Sequence, residues 1–462
     1  MVSDIKKGTI DLTVGSPTKN LIKFSLPLLL GNVFQLFYSW TDAIIIGQKA
    51  PLQFGALSAC MPVINLLLTI LMGFMAGAVV IVGQYFGKKD FASLKRCYST
   101  IVIVLLGISI ILTVAGSIFS RPLLKLLQVD ESQLGYATTY LTYYFLGIFF
   151  TVYYNCFAQV LRAIGNSKFP LYALIVCVLL NVLLDWLFVS VYKMDIEGVA
   201  IGTMISQALS SLILFVYIQL KVPALKITRK DFSFDKKILK QILNVALPST
   251  IQQACACVGF MYINALINSK GDIFTTAFGL GNRIDELMNM QFNSFGIALT
   301  NFAAQNKGKG EIERIKKGFK STLIITAVCL FVSGAFILIF KDFIIRLFIG
   351  TSPDTQLDIE KVIEVTHGFL WIVVPSYILM SYMVITSGCL RGAGDAKAAM
   401  TVNLFSLLLR VTAATILTSA LITNPYFMSY GIFYASPIGW LAGTIWAIVR
   451  YKQGRWQKIE VI

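Results

Sequence analysis

Histidine is nearly missing from this chain: His367 is the only one among 462 residues. That scarcity argues against a histidine-built metal site or a Ser-His-Asp triad. No catalytic residue and no metal ligand is expected, and His367 is read as a helix-end residue. Charge is scarce as well. Asp, Glu, Lys and Arg make up 13% of the residues, about half the roughly 25% of soluble domains. The eight cysteines sit almost entirely in apolar runs and form no CxxC pair. Cys255 and Cys257, two apart, face different sides of a helix. The set is read as small buried hydrophobes. No cleavable leader is expected, because the first apolar run, Leu21 to Ile46, is too long for a signal h-region and reads as a helix that stays.

What is present is apolar surface. Hydrophobic residues make up 56% of the chain, more than a core of this size can absorb unless lipid covers the rest. The apolar runs last 20 residues or more without strict alternation, so the expected fold is an all-α integral membrane protein rather than a barrel. Twelve transmembrane helices are predicted at about 21–46, 55–84, 97–119, 136–161, 169–191, 198–219, 242–267, 274–304, 319–340, 364–389, 399–421 and 428–450. Several exceed the roughly 20 residues needed to span, so tilt or kinks are expected.

The net charge of +16 could point to nucleic acid, but its distribution argues otherwise. With the twelve spans in place, 29 of the 39 Lys and Arg residues fall on the side that holds both termini. Eight fall on the other side, and Arg283 and Arg410 lie within spans. Both termini are therefore expected in the cytoplasm. No nucleic-acid partner is needed, and the bilayer is the expected partner.

The chain also repeats itself. "VLRAIGNSKFPL" at 160–171 returns as "CLRGAGDAKAAM" at 389–400, a shift of 229. "SLPLLL" at 25–30 matches "ALPSTI" at 246–251, and "GQYFGKKD" at 83–90 matches "AQNKGKGE" at 304–311, both at a shift of 221. A weaker match pairs "EGVAIGT" at 197–203 with "YGIFYAS" at 430–436. Four landmarks in one order argue for duplication. Two pseudo-symmetric six-helix lobes are expected, at 1–226 and 227–462. An even number of spans per half makes the lobes run the same way, which suits alternating access around a site between or within them. The Leu-Arg phrase is read as the short cytoplasmic turn between the fourth and fifth span of each half. Gly and Asn or Asp make that turn, and the basic residues hold it at the cytoplasmic face.

These features resemble the multidrug and toxic compound extrusion (MATE) transporters over nearly the whole length. The residues that carry the resemblance are "LRAIGNSK" and "LRGAGDAK", Pro27 early in the first helix, "GQYFGKKD" after the second, and the duplication. The resemblance implies cation-driven efflux of small organic, often cationic, compounds by a protein of a prokaryotic inner membrane. No cofactor beyond the coupling H+ or Na+ is expected, and a monomer is expected. The NorM-like branch carries acids in its seventh and tenth spans. Here "STIQQACACVGF" and "VVPSYILMSYMVITSG" carry none. The DinF-like branch uses acids of the N-terminal lobe, and the positions that match are Asp42, Asn181, Asp185 and Thr203. The resemblance also implies a gating role for Pro27.

Physical reasoning reaches the same four residues. A carboxylate within hydrocarbon is costly, so each is a functional candidate. Asp42 and Asp185 lie four and six residues from the outer ends of their predicted helices, and Thr203 lies five residues into the next. Asn181 precedes Asp185 by four and shares its helix face. Two close carboxylates raise one another's pKa, which suits reversible protonation. With the Asn and Thr oxygens they equally suit a hard monovalent cation. Gln35 and Tyr38 share the face of Asp42 and, with Asn155, are the candidate substrate contacts. Proline at position 27 is expected to bend the first helix. Arg283 and Glu286, three apart beside Asp285, are expected to form an internal ion pair.

Two other functions fit the sequence less well. A flippase for lipid-linked saccharides would line its cavity with several cationic residues, whereas away from their ends the predicted spans hold only Arg283 and Arg410. An intramembrane aspartyl protease would use "GAGD" at 392–395, but Asp395 sits in a basic turn and its repeat partner is Asn166. The expected function is a secondary active antiporter.

Overall fold

The computed structural model describes residues 9–49, 51–194, 196–228, 231–349, 358–418 and 425–462, with backbone only at 37–49, 51–54, 347–349 and 425–429. The described chain is helical throughout. In order, the α-helices are α1 (Pro17–Lys49), α2 (Pro51–Lys88), α3 (Phe91–Leu126), α4 (Glu131–Ala163), α5 (Lys168–Asp185), α6 (Ile196–Lys221), α7 (Lys236–Asn268), α8 (Asp272–Lys309), α9 (Ile312–Ile339), α10 (Lys341–Ile349), α11 (Ile359–Gly392), α12 (Ala396–Leu417) and α13 (Pro425–Lys452). Ten of these are long and apolar enough to cross a membrane. With α1 and α8, at 33 and 38 residues, they make up the twelve transmembrane helices of two six-helix lobes.

Several helices outrun their predicted limits because polar residues continue the spiral past the apolar stretch. Aspartates set many of the starts. Asp90, Asp130, Asp235, Asp358 and Asp395 each accept a hydrogen bond from a backbone N–H in the first turn of α3, α4, α7, α11 and α12, meeting donors that a helix leaves unsatisfied. The fifth span departs from prediction. It is α-helical only to Asp185 and continues as a π-helix over Trp186–Val191, a device common at functional sites. The short α10 was not predicted; its nine residues lack the length of a span.

Within the first lobe, α4 packs against α2, α3 and α6, while α5 lies between α1 and α6. Within the second, α11 packs on α8, α9 and α13, while α12 packs on α7 and α13. The lobes meet reciprocally, α2 against α7 and α8, and α1 against α8. One apolar core fills the first lobe and takes in Ile238, Ile242, Val245 and Ala246 of α7, and another fills the second lobe. A third core, built on Phe24, Phe302, Leu390 and Trp456, joins the lobes on the side that holds the termini.

The repeated phrase has a structural explanation. Gly165 and Gly394 turn with φ of +92° and +97°, the left-handed region that glycine enters without steric cost. The next residue then caps the following helix. Asn166 Oδ1 accepts from Phe169 N at 3.1 Å, and Asp395 Oδ1 accepts from Ala398 N at 3.0 Å. The basic residues divide. Lys168 and Lys397 are exposed as expected. Arg162 and Arg391 are not at the surface of the turn, because α4 and α11 run on past them to Ala163 and Gly392.

Candidate functional site

Between the lobes lies a cavity of about 980 Å³, the size of a pocket for a drug-sized molecule. Residues of α1, α2, α4, α5, α6, α7, α8, α11 and α12 line it. Gln35 and Asn155, two of the expected substrate contacts, are among them. Gln35 is exposed to the cavity, while the Asn155 amide donates to Thr151 O at 2.8 Å. Thr203 reaches the same cavity from α6. Tyr38 and Asp42 lie on α1 where side chains are outside the described residues. Pro27 is inside α1, buried, and the helix is assigned without a break across it.

The first lobe brings the other expected polar residues together. Asn181 and Asp185, one turn apart on α5, are both fully buried. The Asn181 amide nitrogen lies 3.4 Å from Asp185 Oδ1 and 3.4 Å from Thr203 Oγ1 on α6. One amide thus links a carboxylate and a hydroxyl from two helices. The carbonyl oxygen of Asn181 is buried and has no hydrogen-bond partner among the described residues. Gly202 makes the approach of α6 possible, since a Cβ there would stand 2.5 Å from Asp185 Oδ1. Oxygen donors gathered in a buried pocket are the chemistry that suits a proton or a hard monovalent cation.

In the second lobe the expected Arg283–Glu286 ion pair is not formed. Both side chains are exposed, and no ion pair joins them among the described residues. Spacing of three residues allowed a pair, but the buried face of α8 belongs to Asp285. Its carboxylate accepts a short hydrogen bond from the Tyr377 hydroxyl of α11 and another from the Asn289 amide at 2.6 Å. Arg410 of α12 stands at the repeat position of Asn181, and its charge acts on Asp285 from beyond ion-pair distance. The sequence marked Asp285 and Arg410 as charges within spans but did not join them: Asn289 lies one turn away on α8, whereas Tyr377 and Arg410 lie 92 and 125 residues away along the chain.

The arginines of the repeated phrase were the other residues missed. Arg162 and Arg391 both line the central cavity, and they are the only charged side chains among its described lining residues. Their place at the end of an apolar span looked like a surface turn. Two and three further helical residues carry them inside.

Comparison with known proteins places the chain. The MatE family model matches residues 27–187 and 248–416. "Probable multidrug resistance protein YpnP" of Bacillus subtilis (strain 168) is 30% identical over 453 residues, 98% of each chain. "Probable multidrug resistance protein YoeA" of the same organism is 27% identical over 397 residues, 84% of each. Among solved structures, "Outward-facing conformation of a multidrug resistance MATE family transporter of the MOP superfamily" superposes with a TM-score of 0.89 at 21% identity, covering 98% of this chain and 99% of that one. The chain belongs to the MATE family, and so is a multi-pass membrane transporter and not an enzyme.

Proposed function

We propose that this protein is a multidrug efflux antiporter of a prokaryotic inner membrane, with both termini in the cytoplasm. It exchanges small organic compounds, often cationic, for H+ or Na+ by alternating access of the central cavity. The observation that carries the reading is the buried Asn181–Asp185–Thr203 cluster beside a drug-sized cavity between the lobes. A carboxylate is not kept in an apolar lobe without return. Asp42, Asn181, Asp185 and Thr203 form the coupling site of the lobe spanning 1–226, and the lobe spanning 227–462 moves as its partner. Gln35, Tyr38 and Asn155 contact substrate, and Pro27 gates. The working unit is a monomer.

Binding of the coupling ion on one side and of drug on the other draws on the same lobe, so each is released when the other arrives. Exchange follows from that competition. Accumulation of ethidium in inverted membrane vesicles, with Na+ and pH gradients imposed separately, tests the reading. Uptake under one gradient and not the other identifies the ion. No uptake under either overturns the proposal.

A flippase for lipid-linked saccharides is the second reading. The observation that favours it is the pair of arginines that line the central cavity. A fluorescent lipid-linked saccharide moving across proteoliposomes in the absence of any ion gradient would support it over efflux.

A further inference from the structure

The central cavity has an unbalanced charge. Arg162 and Arg391 occupy matching positions in the two repeats, each one residue before the end of its helix. Both reach the same cavity, and no Asp or Glu stands among its described lining residues. The Arg162 side chain makes no hydrogen bond or ion pair among the described residues, and its Nε is buried without a partner. Arg391 Nη2 donates to Gln252 Oε1 at 3.2 Å, while its Nε is also buried without a partner. A guanidinium is always charged and carries five donors in a planar fork matched to carboxylate and phosphate. Two such groups facing a cavity whose lining is more apolar than polar form an incomplete electrostatic arrangement. Their missing partner has to come from what enters the cavity.

We propose that Arg162 and Arg391 are the binding site for an oxyanion on the transported molecule, a carboxylate, sulfonate or phosphate. The substrates favoured by this protein are then amphipathic acids or zwitterions, with the anionic group at the arginines. The inference rests on the transport reading above and sharpens its substrate class. It is compatible with a cationic centre elsewhere on the same molecule, since Asp185 and Arg162 belong to different parts of the first lobe. The duplication explains the pair: one phrase, copied, supplies one arginine from each lobe. An anion held by both would tie the lobes together, and its departure would free them.

The test uses two pairs of probes that differ in one ionised group. Rhodamine B and its ethyl ester share a cationic ring system, and only the acid has a free carboxylate. Geranylgeranyl phosphate and geranylgeraniol differ in a phosphate and represent a lipid headgroup. Binding to the purified full-length protein is read by fluorescence anisotropy for the dyes and by displacement for the lipids. The expected result is about tenfold or greater preference for the member bearing the carboxylate or phosphate in at least one pair, the worth of one charge-assisted bidentate contact. In Arg162→Gln, Arg391→Gln and the double variant that preference falls toward one. Arg162→Lys and Arg391→Lys retain part of it, which separates lost charge from lost folding, and thermal unfolding checks the fold of each variant. Preference for the dye acid assigns a drug-like acid, and preference confined to the phosphate assigns a lipid headgroup. Equal binding within both pairs, or a preference that survives in the double Gln variant, overturns the proposal. Failure of efflux is distinguishable: charge preference in binding, with no gradient-driven movement of either dye into inverted vesicles, keeps the oxyanion site and removes the antiporter.

Discussion

Gln84 and Gln305 hold the two lobes together by the same contact made twice. Gln84 Nε2 donates to the Gly392 carbonyl at 3.4 Å, and Gln305 Nε2 donates to the Ala163 carbonyl at 2.8 Å. The donors are related by the shift of 221 and the acceptors by the shift of 229. Each glutamine sits near the end of α2 or α8 and reaches the turn of the opposite lobe. Glycine lets these helices meet: a Cβ at Gly87 would fall 1.9 Å from the Gln305 carbonyl oxygen, and one at Gly308 would fall 1.9 Å from that of Gln84. The clasp lies on the side that holds the termini, so the alternating access proposed above would require it to open.

Weakening the clasp is expected to favour the form open on the side of the termini. Gln84→Ala with Gln305→Ala removes three hydrogen bonds, counting the one that Gln305 Oε1 accepts from Leu12 N at 3.2 Å, worth about 3 kcal/mol together, a shift of more than about a hundredfold in population. Spin labels at the exposed positions Lys88 and Lys309 should report a longer distance in the double variant. Gly308→Val should do the same by steric wedging, and unaltered distances in both would show that the clasp does not gate.

Asp185→Asn and Asp42→Asn are each expected to abolish ion-driven transport in a protein that remains folded. Asparagine preserves shape and removes the titratable group. Near-normal flux per folded molecule under either gradient would remove that residue from coupling.

Asp285 and Glu286, adjacent on α8, should behave in opposite ways. Asp285→Ala strips Tyr377 of its acceptor and leaves Arg410 without the charge it faces, and loss of one partner from a buried charged network costs about 3–5 kcal/mol. Glu286→Gln changes an exposed side chain without a partner among the described residues and should stay within about 0.5 kcal/mol. Thermal unfolding in detergent reads both. If Glu286→Gln is the damaging one, the assignment of the buried network is wrong.

The two turns predict a reciprocal tolerance. Asn166→Ala and Asp395→Ala each remove a helix cap and should cost about 1 kcal/mol, whereas Asn166→Asp and Asp395→Asn should be nearly silent, because each repeat already uses the other's residue. Gly165→Ala should harm more than Gly394→Ala. Both strain a positive φ, but the new Cβ meets the Ile10 carbonyl oxygen at 2.0 Å in the first case and a Val461 methyl at 2.4 Å in the second. A side-chain methyl can move aside more cheaply than backbone. Melting temperatures of the six variants give the order.

Much of this protein follows from sequence because a bilayer imposes a simple rule: backbone polar groups must be satisfied within each segment, so a long apolar run is a helix. Composition therefore determined the fold class, the distribution of Lys and Arg implied the expected orientation, and the repeated phrase revealed the duplication. The Asn181–Asp185 pair was legible too, because four residues make one turn and both lie on one helix. Spacing along a single helix also misled. It suggested an Arg283–Glu286 pair, although the face of α8 that the lobe buries carries Asp285, and its partners come from α8 itself, α11 and α12. It left Arg162 and Arg391 at the surface because hydropathy shows where apolar residues stop, not where the helix does. Which side chains share a cavity, and how Gln84 and Gln305 reach across, depend on how separate helices pack. That is set by contacts between residues far apart in the chain, which no local pattern encodes.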